Sequence, residues 1–451
     1  MINVDVLVIG AGSGGLAAAK RAASLGARVA IAESRALGGT CVNRGCVPKK
    51  LLVNAAEFVH QQQVAASLQW VNPTGLLDWP GLKTAIANHL QSIRQSQQET
   101  LQDAGIDVIQ GVAHFLDPHT AEIDGKKVKA EHIVIAVGGV PTRPDIPGKD
   151  LALTSQDMFH LSQLPDHLAI IGGGYIGVEF AHIFALLGTQ VTLVDTDQQV
   201  LSGFDTDLRR AAQQGLERIG VEFIPEMTCK EIDQVDDDAR RVHLQGTKQS
   251  SQMLTVDHVL LAVGRSPNLK SLNLEAAGVK VEEGKVAVNE YGQTSQASIY
   301  AIGDCVGRVP LTPVAIAEGQ AVAQTILQQA TAVDYRWIPS AVFGMPPVAT
   351  IGWTEAEAKQ QLGAESVDVI KQTFTPLRQS LMDTPQKSLI KWVLNCRTDE
   401  VVGVHLAGEQ APEIIQGLIP ALEQGLNRQA LAEVVPIHPT SAEELFSVSS
   451  H

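Results

Sequence analysis

The sequence predicts an α/β protein with two nucleotide-binding units and a third, C-terminal α+β unit. The apolar run at residues 4–9 leads into the glycine-rich segment GAGSGG at 10–15 and then into an alanine-rich helix. The same order of strand, glycine turn and helix returns about 160 residues later, at GGGYIG (172–177). From about Tyr335 onward, strands and helices alternate without such a fingerprint. Two repeats of this plan indicate two Rossmann-type folds, each binding one dinucleotide.

The three glycines of the first fingerprint, Gly10, Gly12 and Gly15, have separate physical roles. One allows the tight turn, one lets the backbone approach a pyrophosphate, and one lets the helix pack closely. The diphosphate then lies at the helix N-terminus, where unpaired backbone N–H groups face it. Glu33 follows the next predicted strand, residues 28–32, where a carboxylate can accept ribose hydroxyl groups.

The second fingerprint meets the same requirements independently. Gly172, Gly174 and Gly177 follow the predicted strand at 169–171, and Asp195 ends the next strand, residues 190–194. An enzyme that holds two dinucleotides is most simply one that moves hydride from a nicotinamide to a bound flavin.

Other segments complete the two nucleotide-binding halves. The apolar stretches at 133–141 and 259–267 are each predicted as the last strand of a half, which ends in a glycine turn with a proline soon after. The charged stretch at 231–241 is predicted as a solvated hairpin turn. A short strand is expected at 299–304 and a helix at 311–326, which opens with Thr-Pro.

The bulk properties of the chain exclude several other classes of protein. Its 451 residues suggest two to four domains. Lys and Arg number 34 and Asp and Glu number 49, so the net charge is −15, which argues against binding to nucleic acid or anionic membranes. The first strand begins at once and no apolar stretch reaches membrane-spanning length, so the prediction is a cytoplasmic protein without membrane association.

Cys41 and Cys46 stand out in the segment GGTCVNRGCVPKK. Four intervening residues can span one helical turn and bring the two sulfurs within bonding range. A zinc half-site is the rival interpretation, but it needs a second ligand pair, whereas Cys229, Cys305 and Cys396 are scattered singly. The prediction is therefore a redox-active pair and no metal site.

A redox dithiol needs a base that keeps one thiol ionised and a group that orients this base. The C-terminal segment HPTSAEE offers His438 and, five residues later, Glu443. A neighbouring imidazolium lowers a thiol pKa from ~8.5 toward neutrality, so a reactive thiolate exists at cellular pH.

These segments together resemble the class I pyridine nucleotide-disulfide oxidoreductases, the family of glutathione reductase, dihydrolipoamide dehydrogenase and mercuric reductase. The likeness covers the whole chain and includes GGTCVNRGCVPKK, GGGYIGVE, AVGRSPN, AIGDC, LTPVAIAEG and HPTSAEEL. It implies tightly bound FAD, a nicotinamide co-substrate and a homodimer whose acid–base histidine comes from the neighbouring subunit.

The resemblance also implies a role for each catalytic residue. Cys46 would be the charge-transfer thiol against the flavin, and Cys41 the interchange thiol that attacks the substrate. His438 would be the acid–base partner, oriented by Glu443. In addition, Lys49 and Glu179 would form a pair near the flavin N5.

Binding residues follow from the fingerprints and the resemblance together. Tyr175 would gate the nicotinamide pocket, Asp304 would bind the ribityl chain, and Thr312 would face the pyrimidine edge of the flavin. The predicted FAD ligands are Gly10, Gly12, Ser13, Gly15, Glu33, Thr40, Asp304 and Thr312. The predicted coenzyme ligands are Gly172, Gly174, Tyr175, Gly177, Asp195 and Gly264.

The resemblance predicts four consecutive segments along the chain. Residues 1–145 form the first part of the FAD-binding domain and include the cysteine pair. Residues 146–265 form the coenzyme-binding domain, 266–333 the second part of the FAD-binding domain, and 334–451 the dimerisation domain.

The substrate pattern departs from the nearest branch of the family. VPKK, LTPVAIAEG, FGMPP and HPTSAEEL favour the glutathione reductase branch. His89 and Gln97 replace tyrosines of that branch and Gln320 replaces an arginine, while Lys20 and Arg21 are kept as anion contacts. Glutathione disulfide is therefore expected to be a poor substrate.

Other activities stay open from the sequence alone. Dihydrolipoamide dehydrogenase shares CVNRGC and the HPT motif. Mercuric reductase fits less well, because the chain lacks a terminal vicinal cysteine pair. An NADH oxidase would more naturally carry one redox cysteine, and a flavin-binding redox sensor would show no turnover.

The coenzyme is predicted to be NADH in preference to NADPH. Asp195 can accept both adenosine ribose hydroxyls, whereas it would repel a 2′-phosphate. Thr196 and Ser202 stand where NADPH-using relatives carry arginines, and Gly177 stands where they usually have alanine. The cations that could still reach such a phosphate are Arg209, Arg210 and Lys230.

Overall fold

The computed structural model describes residues 1–70, 75, 77–246 and 250–447. Within these residues the helices are α1 (Ser13–Ser24), α2 (Gly39–Arg44), α3 (Cys46–Ser67), α4 (Trp79–Asp103), α5 (Tyr175–Leu186), α6 (Thr206–Arg218), α7 (Thr312–Leu327), α8 (Glu355–Leu362), α9 (Ala411–Glu423) and α10 (Arg428–Ala432). The strands are β1 (Ile2–Ile9), β2 (Val29–Glu33), β3 (Asp107–Gln110), β4 (Ala113–Asp117), β5 (Thr120–Ile123), β6 (Lys126–Ile135), β7 (Gly139–Pro141), β8 (Leu153–Thr154), β9 (His167–Ile171), β10 (Gln190–Val194), β11 (Glu222–Ile224), β12 (Met227–Gln234), β13 (Arg240–Gly246), β14 (Ser251–Val256), β15 (His258–Leu261), β16 (Arg265–Pro267), β17 (Val281–Glu282), β18 (Lys285–Val286), β19 (Ile299–Ala301), β20 (Ser340–Val342), β21 (Val348–Gly352), β22 (Val367–Phe374), β23 (Ser388–Asn395) and β24 (Glu400–Ala407).

The chain forms two compact units, and each unit is assembled from separate stretches of sequence. The first unit consists of Met1–Leu51, Pro80–Thr142 and Gly264–Asp334. The second consists of Leu52–Trp79, Arg143–Val263 and Tyr335–His451. The boundaries of the four segments predicted from the sequence stay a prediction.

The first unit is built on a seven-stranded sheet. Strands β3, β2, β1 and β6 lie parallel in that order, and β19 pairs in parallel with the last residues of β6. The first residues of β6 instead pair antiparallel with β5, which in turn pairs with β4. Strand β2 is buried over its whole length, as expected for a parallel strand covered on both faces.

Helices α1 and α7 cover one face of this sheet and cross at glycines. A Cβ atom at Gly14 would come within 2.8 Å of the Ala315 carbonyl oxygen, and one at Gly319 within 2.3 Å of the Gly14 carbonyl oxygen. The absence of these side chains lets the two backbones touch. Their contact fixes the N-terminus of α7, where Thr312 lies, in relation to the first glycine turn.

The described part of the second unit contains three sheets. Strands β11, β10, β9, β15 and β8 form a parallel sheet, and β12, β13 and β14 form a small antiparallel sheet. The third sheet has the order β20, β21, β24, β23, β22 and is antiparallel throughout. Helix α9 packs on β21 and β24 over an apolar core that includes Trp392.

A buried ion cluster joins helix α6 to the C-terminal sheet within the second unit. Lys391 on β23 is 1% exposed, and its Nζ donates to both carboxylate oxygens of Asp205 at 2.8 and 2.9 Å. The same Nζ lies 2.9 Å from Asp207 Oδ2 and 2.8 Å from Glu355 Oε2. Burial works to lower the pKa of Lys391, but the three carboxylates outweigh it and the pKa is raised.

Most predicted elements coincide with observed ones. Strand β10 spans the predicted residues, and the charged stretch at 231–241 contains the turn between β12 and β13. The two apolar stretches end in glycine turns as predicted, since β6 and β15 are each followed by a glycine with positive φ, Gly138 and Gly264. Beyond these turns lie two short strands that were not predicted, β7 and β16, which pair antiparallel with each other. The α/β fold class with two Rossmann-type units and a C-terminal α+β unit is confirmed.

Candidate active site

The first glycine turn connects β1 to α1 and requires glycine by contact. Gly10 has φ +105°, and a Cβ atom there would lie 2.4 Å from the Ala136 carbonyl oxygen. A Cβ atom at Gly15 would lie 1.9 Å from the Gly10 carbonyl oxygen. Glu33 ends β2 beside this turn, where its Oε2 accepts a hydrogen bond from the Ala11 N–H at 2.8 Å and its Oε1 one from the Arg35 N–H at 2.7 Å.

The second glycine turn, between β9 and α5, repeats this geometry. Gly172 has φ +111°, and a Cβ atom at Gly177 would again lie 1.9 Å from the carbonyl oxygen of the first glycine. The Asp195 carboxylate accepts hydrogen bonds from the N–H groups of Gly173 and Asp197. The structure thus brings an acidic residue onto each turn, and the contact of these carboxylates with ribose hydroxyls stays a prediction.

Residues 39–46, which include both cysteines and are called the redox segment below, lie directly on the first glycine turn. A Cβ atom at Gly39, the first residue of α2, would come within 2.6 Å of the Gly12 Cα. This close contact places Thr40 and Cys41, the next residues of α2, beside the turn and its Ser13.

The two cysteines do not share one helical turn, contrary to the expectation from their spacing. Cys41 lies in α2, which ends before Gly45, and Cys46 begins α3. The break occurs because the Gly45 backbone packs against the preceding turn, where a Cβ atom would lie 2.8 Å from the Thr40 carbonyl oxygen. Cys46 is exposed, and its Sγ lies 3.6 Å from Thr312 Oγ1 at the start of α7.

The Cys41 thiol is less acidic than an ordinary cysteine within one chain. A hydrogen bond with Cys46, burial, and the charge of Cys46 raise its pKa, while hydrogen bonds with Thr312 and Ser13 act in the opposite direction. A reactive thiolate at neutral pH therefore needs a cation from elsewhere.

Asn43, in the spacer between the cysteines, holds the redox segment together. Its Nδ2 donates to the carbonyl oxygens of Leu37 at 2.8 Å and Gly39 at 3.0 Å. Its Oδ1 accepts a hydrogen bond from the guanidinium of Arg94 on α4 at 3.1 Å. Sequence reasoning missed both residues; the asparagine inside the CxxxxC spacer was the available signal.

Asp304 lies in a short 3-10 helix (Gly303–Cys305) that follows β19, and Arg265 contacts it there. Arg265 Nε is 3.5 Å from Asp304 Oδ2, and its guanidinium donates to the Gly139 carbonyl oxygen at 2.6 Å. The neighbouring Gly264, a predicted coenzyme contact, has no atom within 4 Å of a Cβ position. Arg265 was not predicted as a site residue, although it stands in the motif AVGRSPN.

The predicted acid–base pair is present near the C-terminus. His438 Nδ1 lies 2.9 Å from Glu443 Oε2, and Glu443 Oε1 accepts the Thr440 N–H at 3.0 Å. The hydrogen bond with His438 and that from the Thr440 backbone lower the pKa of Glu443, so this carboxylate stays ionised. His438 is 80% exposed and follows Val435 and Ile437, which are 93% and 78% exposed. The role of His438 toward a second subunit stays a prediction.

Several predicted contacts are not tested by the structure. Lys49 belongs to the first unit and Glu179 to the second, where Glu179 is buried and accepts the Phe343 N–H at 3.0 Å. Their pairing near the flavin stays a prediction. The residues expected to contact substrate, His89, Gln320 and Lys20, are exposed, whereas Gln97 and Arg21 are partly buried.

Within the described residues, one group of side chains has the spacing of possible metal ligands. The three side chains of Glu231, Asp233 and His243 have ligand atoms within 4.8 Å of one another. These groups are partly exposed on β12 and β13, and His243 already pairs with Asp233 at 2.6 Å. Among the helices described, none combines the length and apolar character that a membrane crossing requires.

The residues around the first turn fit FAD. The close seat of Gly39 on Gly12 keeps side chains away from a diphosphate path, and Glu33 offers its carboxylate beside the turn. Thr312, which was predicted to face the flavin, stands next to Cys46. When bound, FAD supplies the hydride and electron chemistry that these side chains cannot perform.

Comparisons with known proteins agree with this geometry. Residues 4–319 match the family described as Pyridine nucleotide-disulphide oxidoreductase, and residues 338–448 match its dimerisation domain. The chain is 42% identical to glutathione reductase of Nostoc sp. over 99% of both chains, and 38% identical to that of Burkholderia cepacia over 99% of this chain and 98% of the relative. Chloroplastic/mitochondrial glutathione reductase of Pisum sativum is 40% identical, over 99% of this chain and 82% of the relative.

These matches cover both nucleotide-binding regions and the C-terminal sheet. They establish a flavoprotein enzyme of the glutathione reductase branch that uses FAD, a nicotinamide coenzyme and a redox-active disulfide, and that forms a homodimer. The chain therefore belongs to the pyridine nucleotide-disulphide oxidoreductase family.

Proposed function

We propose that this enzyme passes electrons from NADH through FAD and the Cys41–Cys46 disulfide to a low-molecular-weight disulfide of the glutathione type. The observation that carries the proposal is the seat of the redox segment on the first glycine turn, with Cys46 Sγ 3.6 Å from Thr312 Oγ1. The cysteine pair is thereby held where a flavin bound to this turn would reach it.

For the exchange with substrate we keep the roles that the resemblance implies for the two thiols. The Cys41 thiolate attacks one sulfur of the substrate disulfide, so that a mixed disulfide forms and one substrate thiolate leaves. His438 of the partner subunit gives that thiolate a proton. The Cys46 thiolate next attacks the Cys41 sulfur, releases the second thiolate and restores the Cys41–Cys46 disulfide.

His438 and Glu443 account for the ionisation that this sequence needs. Within one chain the pKa of Cys41 is raised, so its thiolate requires a nearby cation. An imidazolium held by an ionised carboxylate supplies that cation, and its Nδ1 contact with Glu443 orients the ring. The remaining predicted site residues keep the roles assigned by the resemblance, including the Lys49–Glu179 pair and the gating Tyr175.

The preference for NADH is supported by the arrangement around Asp195. Its carboxylate stays beside the glycine turn, while Thr196 and Ser202 are exposed and uncharged. Of the three cations considered for binding a 2′-phosphate, Arg209 donates to the carbonyl oxygens of Gln199 at 2.8 Å and Val200 at 3.0 Å. Arg210 and Lys230 are exposed on α6 and β12. The comparisons give no coenzyme preference.

The identity of the disulfide rests on two arguments that oppose each other. The relatives are named glutathione reductases, which makes glutathione disulfide the first candidate. His89, Gln97 and Gln320 lack the groups expected to grip its glycine carboxylates, which predicts weak binding. The cytoplasmic location and the four-segment division stay predictions from the sequence.

A steady-state screen tests the proposal. NADH and NADPH are each combined with glutathione disulfide, lipoamide, other small disulfides and mercuric ion. Fastest turnover with a glutathione-type disulfide supports the proposal, whereas fastest turnover with lipoamide favours dihydrolipoamide dehydrogenase and none at all favours a redox sensor.

The variant Gln320→Arg separates the two arguments about glutathione disulfide. A guanidinium at this position on α7 would restore a charge-assisted bond to a carboxylate, so the Michaelis constant should fall by about tenfold. A micromolar constant in the wild type would contradict weak binding and would indicate that Lys20 and Arg21 suffice.

A further inference from the structure

Arg44 occupies an unusual place in the redox segment. It is the last residue of α2 and lies between the two cysteines. Helix α2 starts on the first glycine turn, because Gly39 is seated against Gly12. Arg44 therefore lies at the C-terminal end of the short helix α2, and the N-terminal end of this helix contacts the first glycine turn.

The guanidinium of Arg44 has no hydrogen-bond or ion-pair partner among the residues that the structure describes. Its Nε is enclosed by protein and has no hydrogen-bond acceptor in the described part of the chain, and no ion pair of Arg44 occurs there. Burial lowers the pKa of Arg44, the positive charge of Arg35 lowers it further, Glu33 opposes this, and Arg265 again lowers it. A half-buried cation thus stands beside two others.

The carboxylates nearby offset this positive charge only in part. Glu33 works to raise the pKa of the guanidinium, and both of its oxygens also accept backbone N–H groups, from Ala11 and Arg35. Asp304 lies beside Arg265. The three guanidinium groups therefore outnumber these two carboxylates. A half-buried cation in a surplus of positive charge is stabilised when a ligand supplies a further anion.

The anion that suits this position is a diphosphate. A dinucleotide bound at the first turn places its pyrophosphate at the N-terminus of α1, next to the start of α2. The planar fork of an arginine matches phosphate oxygens with two parallel hydrogen bonds. The adenosine ribose would lie at Glu33. The negative charge of Glu33 works to raise the pKa of Arg44, so the two side chains are close enough to interact.

We propose that Arg44 binds the diphosphate of FAD and thereby ties the segment between the two redox cysteines to the cofactor. The assignment rests on FAD as cofactor and is independent of the disulfide substrate and of the coenzyme preference. It also means that FAD orders the CxxxxC segment, because one side chain joins the spacer to the cofactor.

Binding measurements with apoprotein test this proposal. Arg44→Met should raise the FAD dissociation constant at least about tenfold, and it should weaken competition by ADP by a similar factor. The matched control is Arg28→Met, which removes an exposed arginine of the same unit that pairs with Asp5 at 2.6 Å. The control should bind FAD and ADP as the wild type does.

Three results would overturn the proposal. Wild-type affinity of Arg44→Met for FAD would show that the guanidinium makes no contact with the cofactor. Weaker FAD binding with unchanged ADP competition would place its action away from the diphosphate. Equal loss in the Arg28 control would indicate a general charge effect. If the methionine variant does not fold, Arg44→Gln decides by the same criteria.

A second measurement follows the order of the redox segment directly. In the wild type, FAD should slow alkylation of the reduced Cys46 thiol compared with apoprotein at equal temperature. Arg44→Met saturated with FAD should lose most of this protection. Full protection in the variant would contradict the proposal that Arg44 links the residues between the cysteines to FAD. If wild-type protein bound no FAD, the family assignment of the cofactor would fail instead.

Discussion

The two glycine turns of this enzyme have the same backbone geometry but very different surroundings. At the first turn, Gly12 is covered by Gly39 of the redox segment, and Gly14 is covered by Ala315 of α7. At the second turn, Gly174 is exposed and has no atom within 4 Å of a Cβ position. Tyr175, which follows it, is 44% exposed. One motif is thus enclosed by its own chain and the other is open.

This difference indicates how one motif serves two kinds of ligand. A turn enclosed by neighbouring segments suits a cofactor that stays bound during turnover, since its release would require those segments to move. An open turn suits a co-substrate that must enter and leave in each cycle. The acidic residues follow the same pattern, because Glu33 is buried and Asp195 is partly exposed.

The largest expected effect concerns the thiol at the enclosed turn. Cys46→Ala should abolish disulfide turnover and the long-wavelength charge-transfer band that two-electron reduction produces, because this band needs a thiolate against the flavin. The absorbance spectrum after titration with dithionite measures it. Persistence of the band in the variant would show that the two sulfurs have been assigned in the wrong order.

His438→Ala should lower disulfide turnover by at least ~10²-fold while NADH still reduces the flavin, since hydride transfer needs no imidazole. The residual rate should rise with pH, because the pKa of Cys41 is raised and its thiolate forms only in alkaline solution. Stopped-flow flavin reduction and steady-state rates separate the two half-reactions. Equal loss in both would point to a disturbed fold or dimer.

The open turn is expected to select NADH over NADPH by on the order of 30- to 150-fold in kcat/KM, equivalent to ~2–3 kcal/mol. Asp195→Asn keeps a hydrogen-bonding side chain but removes the negative charge, so the ratio should move toward parity. Both coenzymes must be compared at one ionic strength. Parity in the wild type would refute the interpretation of Asp195 and would direct attention to Arg209.

Two alanine substitutions compare the turns themselves. Gly39→Ala should lower the melting temperature by about 5 °C, because a Cβ there would lie 2.6 Å from the Gly12 Cα. Gly174→Ala meets no atom of the protein and should leave the melting temperature unchanged, while the Michaelis constant for NADH rises by about tenfold. Similar effects of both substitutions on stability would remove the distinction between an enclosed and an open turn.

Much of the fold could be predicted because its signals are local in sequence. The glycine turns, strand β10 and helix α7 each depend on a contiguous pattern of apolar residues, glycines and a helix-starting Thr-Pro. Pairing of β7 with β16 could not be predicted in this way, since these strands are far apart in the chain and only the fold brings them together.

The features of the candidate site also fall into two groups: those that are local in sequence and could be predicted, and those that depend on contacts between distant residues. His438 and Glu443 are five residues apart and were paired on spacing alone, and the structure brings them to 2.9 Å. The contact of Arg94 with Asn43 depends on how α4 packs, and no local pattern indicates it. The helix break at Gly45 could have been expected, because glycine is a poor helix former and its lack of a Cβ lets it pack against Thr40. It was missed because the cysteine spacing alone was taken as one helical turn.

The buried cluster around Lys391 has a consequence for how this protein can change over evolution. Removing the lysine alone would leave Asp205, Asp207 and Glu355 without their shared counter-charge, a loss of roughly 3–5 kcal/mol for a buried pair. Replacing lysine and carboxylates together with apolar residues of similar volume would cost far less. Single substitutions are therefore disfavoured while joint ones are tolerated. These positions should change as a set among descendants, even though they touch neither cofactor nor substrate in the proposed mechanism.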